Sequence, residues 1–371
     1  TPKDFDIATN ATPNEIRNIF KASRIIGRRF KLVHIFSRSE LIEVATFRSG
    51  EDETNEGNLV TDQSGKILRD NIWGSLEQDT FRRDFTINAL YYCPISGKIE
   101  DHNSGIAHIQ NKKIVSIGDP MKRFSEDPVR SLRAIRFSNK LNFKIDKNVK
   151  DAIYKKGYLL ENISNARLFD EFCKIFLSGI AEKNFNKLVS FNLNKYLILT
   201  NPNGSEFSQN LIKEALINTD KRVKNDQSVT PGFLIAAMLW PEVLKRSRGD
   251  KEINLRKFFR SMDQILRNQQ TITAIPRKFH SYIKDIWVLQ LKLHSRIGKQ
   301  PYKTSKHPRF RAAYDFLLIR EKASKCKSNL GDWWTKFQKN NSASQKQQIL
   351  NLKEVDSENS FKKFGFQEEL I

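Results

Sequence analysis

The chain has 371 residues, 39% of them hydrophobic and 26 of them Phe, which suits two or three packed domains and excludes a disordered polypeptide. No run approaches 18 uncharged apolar residues and no signal-peptide pattern opens the chain, so a membrane-spanning helix is not expected. Lys and Arg outnumber Asp and Glu 64 to 42, a formal charge of +22, and residues 241–320 alone hold 19 basic against 6 acidic side chains. A surplus so clustered points to a polyanionic partner, nucleic acid ahead of an anionic membrane surface.

In chain order, "DFDIAT" (4–9) reads as a strand, and because the chain starts directly in it, residues upstream of Thr1 are expected to be missing. Asp4 and Asp6 lie two apart and share one face, with Phe5 and Ile7 on the other. Paired carboxylates repel unless a cation stands between them; a solvated edge strand is the plainer alternative. "TPNEIRNIFK" reads as a helix, with Thr12 as N-cap, Pro13 at the first position and Glu15 at the third. Two strands follow, "RFKLVHIF" and "LIEVATFR". His34 in the first reads as a polar strand residue, and Glu43 in the second is a candidate extra carboxylate. Residues 49–66, polar and Gly/Asn-rich, read as a mobile loop.

"EQDTFRRDFTINALYY" (77–92) reads as helical and carries Asp84, a candidate third acid that competes with Glu43, beside Arg82 and Arg83. A third carboxylate near Asp4 and Asp6 would complete an oxygen-ligand site for Mg²⁺. "GKIEDHNSG" turns, and beyond about residue 118 strand signals nearly vanish. In "EDPVRSLRAIRF", Asp127, Arg130, Arg133 and Arg136 recur every three residues along one face, with Val129, Leu132 and Ile135 on the other. Such a face is either a solvated arginine edge or a surface that reads a base and holds a triphosphate. Helical periodicity continues through "ARLFDEFCKIFLSGI", "NFNKLVSFNL", "PGFLIAAMLWPEVL", "SYIKDIWVLQLKLHSRI" and "FRAAYDFLLIREKAS". Trp287, Trp333, Trp334 and Tyr302 are candidate platforms for unpaired bases, although aromatics at helical spacing more often build a core. Residues 341–371 read as a loosely ordered tail. Cys93, Cys173 and Cys326 are scattered and odd in number, which favours a reducing cytoplasm over disulfides or zinc.

Three stretches in order, "PKDFDIATNATP", "RRDFTINALYY" and "EDPVRSLRAIRF", resemble the class II tRNA nucleotidyltransferase/poly(A) polymerase family of the polymerase β superfamily. "IIGRRFKLVHI" (25–35) looks like the signature that separates bacterial poly(A) polymerases from their CCA-adding relatives. The basic stretch 285–320 is similar to the C-terminal domain of those polymerases. The resemblance implies an α+β protein: a nucleotidyltransferase head over 1–100, lacking its first strand and Gly-rich phosphate loop, then a helical neck (101–215) and a basic RNA-binding body (216–340). It implies Asp4 and Asp6 as the catalytic, metal-binding pair with Asp84 as third acid. Arg82 and Arg83 would recognise ribose, with Asn88 also nucleotide-binding, and Asp127, Arg130, Arg133 and Arg136 would select the base. Asp101 and Gly105 look like a hinge motif, and "ARLFDEF" (166–172) like a helix-stabilising one. The implied activity is polyadenylation of RNA 3′ ends with ATP and two Mg²⁺ ions, by a cytoplasmic monomer without a membrane partner. A CCA-adding enzyme is the alternative within that family, and a non-catalytic RNA-binding protein the alternative outside it.

Overall fold

Thr12 stops the first strand and starts the first helix. In the computed structural model its hydroxyl accepts from the Glu15 amide (3.4 Å), while the Glu15 carboxylate accepts from the Thr12 amide (2.7 Å). This capping box satisfies two orphan donors at the helix start, and the Thr12 backbone N–H, then its hydroxyl, holds the Glu15 carboxyl below its ordinary pKa. The structure describes residues 6–27, 31–37, 40–49, 73–248, 253–324 and 329–353, with the backbone alone of 59–61 and 67–70. The chain divides into two units, Thr1–Leu159 and Leu160–Ile371.

In the first unit β1 (Asp6–Thr9) leads to α1 (Pro13–Ile19), β2 (Ser23–Ile26), β3 (Leu32–Ser37) and β4 (Glu40–Thr46). The four strands form one sheet in the order β1-β4-β3-β2, with β1 parallel to β4 and the other pairs antiparallel. Alternation in β3 and β4 sends Val33, Ile35 and Val44 to one face, where they bury with Ile16 of α1. The sequence suggested β3 and β4 but not β2, whose four residues are too few to show a period. Part of the expected loop 49–66 pairs as a hairpin of β5 (Leu59–Thr61) with β6 (Ile67–Asp70); residues 50–58 and 62–66 lie outside the described residues.

The helix expected over 77–92 is much shorter: α2 (Leu76–Arg82) stops where Arg83 turns extended. The reason is tertiary, because Phe85 is wholly buried and bridges to Ser116, which no continuing helix would allow. A 3-10 turn (Thr86–Asn88) and a hairpin of β7 (Leu90–Cys93) with β8 (Lys98–Asp101) complete the stretch. Then come α3 (Gly105–Gln110), β9 (Lys113–Ile114), α4 (Pro120–Glu126), α5 (Val129–Leu141), β10 (Lys144–Ile145), which pairs parallel to β9, and α6 (Lys147–Lys156).

The second unit is helical: α7 (Asn165–Phe176), α8 (Ala181–Ser190), α9 (Glu206–Lys224), α10 (Pro231–Ser247), α11 (Leu255–Gln270), α12 (Arg277–His294), α13 (Gln300–Ser305), α14 (Phe310–Ala323), α15 (Leu330–Lys339) and α16 (Ser342–Lys353). Residues 234–240 of α10 are buried without a break, because α9, α11 and α12 surround that helix. Trp240 meets the edges of Phe258 and Phe316 there. Part of the tail expected to be loosely ordered forms α16, anchored by buried Ile349 in the cluster of Phe310, Trp334 and Phe337. Its polar sequence carries almost no apolar stripe, so the helix owes its place to packing. The α+β class expected from the sequence is the one found: a mixed-sheet unit followed in the chain by a helical one.

Candidate active site

Strand register assembles the first cluster. Asp6 of β1 stands opposite Glu43 of β4, Glu43 opposite His34 of β3, and His34 opposite Arg24 of β2. Cross-strand partners share a face, so the four side chains form one polar row on the side of the sheet away from Val33 and Val44. Neighbouring strands lie about 4.8 Å apart, which makes Asp6 and Glu43 adjacent carboxylates. Glu43 is half exposed and pairs with His34 through Nε2 at 2.9 Å. Asp4 lies outside the described residues. Among the described residues, no three acidic, His or Cys side chains gather closely enough to hold an ion together. The pair that register does juxtapose, Asp6 and Glu43, offers the hard oxygen donors that suit Mg²⁺.

The second cluster surrounds the end of α2. Asp84 is buried, 8% exposed, and both of its carboxylate oxygens accept hydrogen bonds. Oδ2 accepts from Arg133 Nε at 2.5 Å, and Oδ1 accepts from the Phe85 amide at 2.9 Å and Asn88 Nδ2 at 3.1 Å. Arg133 and Arg136 both lie over the ring of Phe137, whose edge meets Phe85. Arg82 and Arg83 each pair with Asp79, at 3.6 and 3.4 Å. Arg83 also donates to the Tyr91 hydroxyl (3.0 Å) and to the Asn88 carbonyl (3.2 Å). Tyr91 in turn donates to Asp79, and burial first, then that bond, pushes its phenol well above the usual value.

α5 presents the surface expected of it on one side: Val129, Leu132 and Ile135 are buried, while Arg130, Arg133 and Arg136 are partly exposed. Asp127 departs from expectation. It precedes α5 rather than riding on it, and its carboxylate accepts from the Val129 amide (3.2 Å) at the helix start. Proline at 128 begins the helix after it, since that residue lacks the amide an interior position would need.

At the proposed hinge, Asp101 accepts from the amides of Gly105 (2.7 Å), Ile106 (2.9 Å) and Asn103 (3.2 Å). Burial alone would raise its pKa; the three N–H donors outweigh it and hold the carboxyl below its usual value. Gly105 is required by close approach, since a Cβ there would stand 2.5 Å from the Thr86 carbonyl oxygen.

Two of the four candidate stacking platforms are core side chains, and the other two are partly buried. Trp287 and Trp334 are fully buried and donate their indole N–H to the carbonyls of Ala236 and Leu293. Tyr302 and Trp333 pack against the same cluster as Trp334. Helical spacing alone could not separate a core aromatic from a surface one. The sequence reading also overlooked Asp79, Tyr91, Arg123 and Glu126. Asp79 had a local signal, three and four residues before Arg82 and Arg83, and so had Glu126, three residues after Arg123 and four before Arg130; the contacts of Tyr91 with Asp79 and of Arg123 with the end of α2 depend on folding.

Residues 1–115 match the family model described as "Poly A polymerase head domain" and residues 142–205 the one described as "Probable RNA and SrmB- binding site of polymerase A". Residues 251–363 match "Polymerase A arginine-rich C-terminus". Poly(A) polymerase I of Salmonella typhi is 40% identical over 351 residues, 91% of this chain and 75% of that protein. Poly(A) polymerase I of Haemophilus influenzae is 39% identical over 94% of this chain and 80% of that protein. A CCA-adding enzyme of Lactococcus lactis subsp. cremoris is 30% identical over 69% of this chain and 58% of that protein. In fold, the chain is similar to a tRNA nucleotidyltransferase solved with a primer tRNA and an incoming ATP analogue, with TM-score 0.61 and 17% identity, covering 91% of each chain. It is also similar to the Bacillus stearothermophilus CCA-adding enzyme in complex with CTP, with TM-score 0.55 and 23% identity over 95% of this chain and 74% of that one. With that level of identity over most of both sequences, the chain belongs to the bacterial poly(A) polymerase I family, of the tRNA nucleotidyltransferase/poly(A) polymerase group.

Proposed function

We propose that this chain adds AMP from ATP to RNA 3′ ends without a template, releasing pyrophosphate. The observation that carries this reading is the match to poly(A) polymerase I over nine-tenths of the chain, against a shorter and weaker match to CCA-adding enzymes. In the reaction the RNA 3′ oxygen bonds to the α-phosphorus, the bond from that phosphorus to the β-bridging oxygen breaks, and the hydroxyl proton is lost.

Asp4, Asp6 and Glu43 are the residues proposed to hold Mg²⁺; the register of Asp6 with Glu43 favours Glu43 over Asp84 as the third carboxylate. When bound, the metal lowers the pKa of the hydroxyl and offsets charge on the triphosphate. Asp84 then has a different task. Its carboxylate holds Arg133 and Asn88, so it orients the groups proposed to meet the nucleotide rather than the metal. Arg82 and Arg83, fixed by Asp79, are proposed to face the ribose; Asp127, Arg130, Arg133 and Arg136 are proposed to select the base and contact phosphates.

Among the described residues no helix is long and apolar enough to cross a membrane. The basic helices of residues 241–320 are proposed to carry RNA phosphates, so RNA affinity is expected to fall steeply with salt. Cys93 and Cys173 are free thiols, which supports a cytoplasmic setting, and a monomer is proposed.

The test offers the purified chain a generic RNA with ATP alone, then a tRNA lacking its 3′ end with CTP and ATP. Long adenylate products on the generic RNA are expected. Addition of three nucleotides to the tRNA and nothing to the generic RNA would favour the CCA-adding reading instead.

A further inference from the structure

Arg123, on α4, belongs to none of the motifs the sequence reading singled out, yet its guanidinium sits at the centre of the second cluster. Nη2 donates to the carbonyl oxygens of Arg82 (2.6 Å), Arg83 (2.8 Å) and Phe81 (3.4 Å). These are among the last carbonyls of α2, which have no partner within their own helix. A cation there is also favoured by the helix dipole. Nη1 pairs with Glu126 Oε2 at 2.9 Å, and the same oxygen receives Arg130 Nη1 at 3.2 Å. Arg130 further donates to the backbone carbonyl of Arg123 at 2.9 Å. One residue therefore joins the backbone of the Arg82–Arg83–Asp84 turn to α5, through side chain on one side and main chain on the other.

We infer that Arg123 is a positioning residue for nucleotide selection: it clamps the Arg82–Arg83 carbonyls so that Asp84 is presented to Arg133. This rests on the reading of α5 as the nucleotide-selecting helix. The physical need is for one side chain that serves several acceptors in a plane at once. A guanidinium carries five N–H donors in a rigid fork, whereas a lysine ammonium is a point charge on a flexible stem. With the clamp released, Asp84 and Arg133 move as a pair relative to the base that Arg130 and Arg136 face. Small displacements of a positioned group are costly in rate.

The test uses the full chain with Arg123→Lys and Arg123→Ala, measuring KM and kcat for ATP and for CTP on one RNA, with RNA affinity alongside. Arg123→Ala is expected to raise KM for ATP about tenfold and to lower the ATP-over-CTP preference by a similar factor, the scale of one lost charge-assisted contact. Arg123→Lys should recover part of both, and RNA affinity should not change. A residue that only supports folding would scale kcat for both nucleotides with the folded fraction and leave KM and the preference at wild-type values; that result overturns the inference. If Arg123→Ala does not fold, Arg123→Lys alone decides, because wild-type KM and preference in it are equally fatal. A wild-type chain that adds no AMP sinks the polymerase reading and this inference together. An active wild type with unshifted variants sinks the inference alone.

Discussion

The Asp84–Arg133 pair joins residues 49 positions apart, and its strength can be worked from its geometry. In Asp84→Asn the side chain keeps an oxygen for the Phe85 amide and Asn88. It then turns an NH₂ toward the guanidinium, losing the charge-assisted bond. Such a bond contributes about 1.5–3 kcal/mol. Arg133 is one-third exposed, so water recovers part of it, and a loss of about 2 kcal/mol follows. Arg133→Met removes the same bond along with its contact to Phe137, so the double variant isolates the pair. The coupling energy expected is about 1.5 kcal/mol. Native-state hydrogen exchange gives the local readout, because the Thr86 and Ile117 amides tie this turn to Val115 and Asp84. Asp84→Asn should speed exchange at both amides, and adding Arg133→Met should speed it little further. A coupling below about 0.5 kcal/mol would refute the argument that Asp84 exists to hold Arg133.

Three further outcomes are expected. Glu43→Gln should lower kcat for AMP addition by about 10²–10³-fold with RNA affinity unchanged; wild-type kcat in that variant would remove Glu43 from the reacting centre. Asp101→Ala strips three amides at the start of α3 of their acceptor and should destabilise that segment by about 1–2 kcal/mol, read as faster exchange at Gly105 and Ile106; unchanged protection there would show the cap to be idle. His294 is kept neutral by burial, then by the Arg320 and Arg296 guanidiniums, its pKa lowered to about 3. The unfolded chain takes up that proton near pH 6.5 and the folded one does not, so stability is full above about 6.5 and falls as pH drops toward 3. Between pH 7.5 and 5 this amounts to about 2 kcal/mol in a urea titration, which His294→Gln should abolish; an equal acid loss in that variant would contradict the assignment.

What the sequence by itself determined is what neighbours within about four residues can specify. The capping box of Thr12 and Glu15, the buried face of Val129, Leu132 and Ile135, the alternation around Val33 and the basic surplus all follow from local spacing. Local spacing also misled. "FRRDFTINALYY" carries helical propensity, but burial of Phe85 ends the helix at Arg82. Only the tertiary structure decided that Glu43 stands beside Asp6, that Asp84 faces Arg133, and that Arg123 grips a turn forty residues away. Those contacts are set by strand register and helix packing, and each needs the chain to close a long loop before its partners meet.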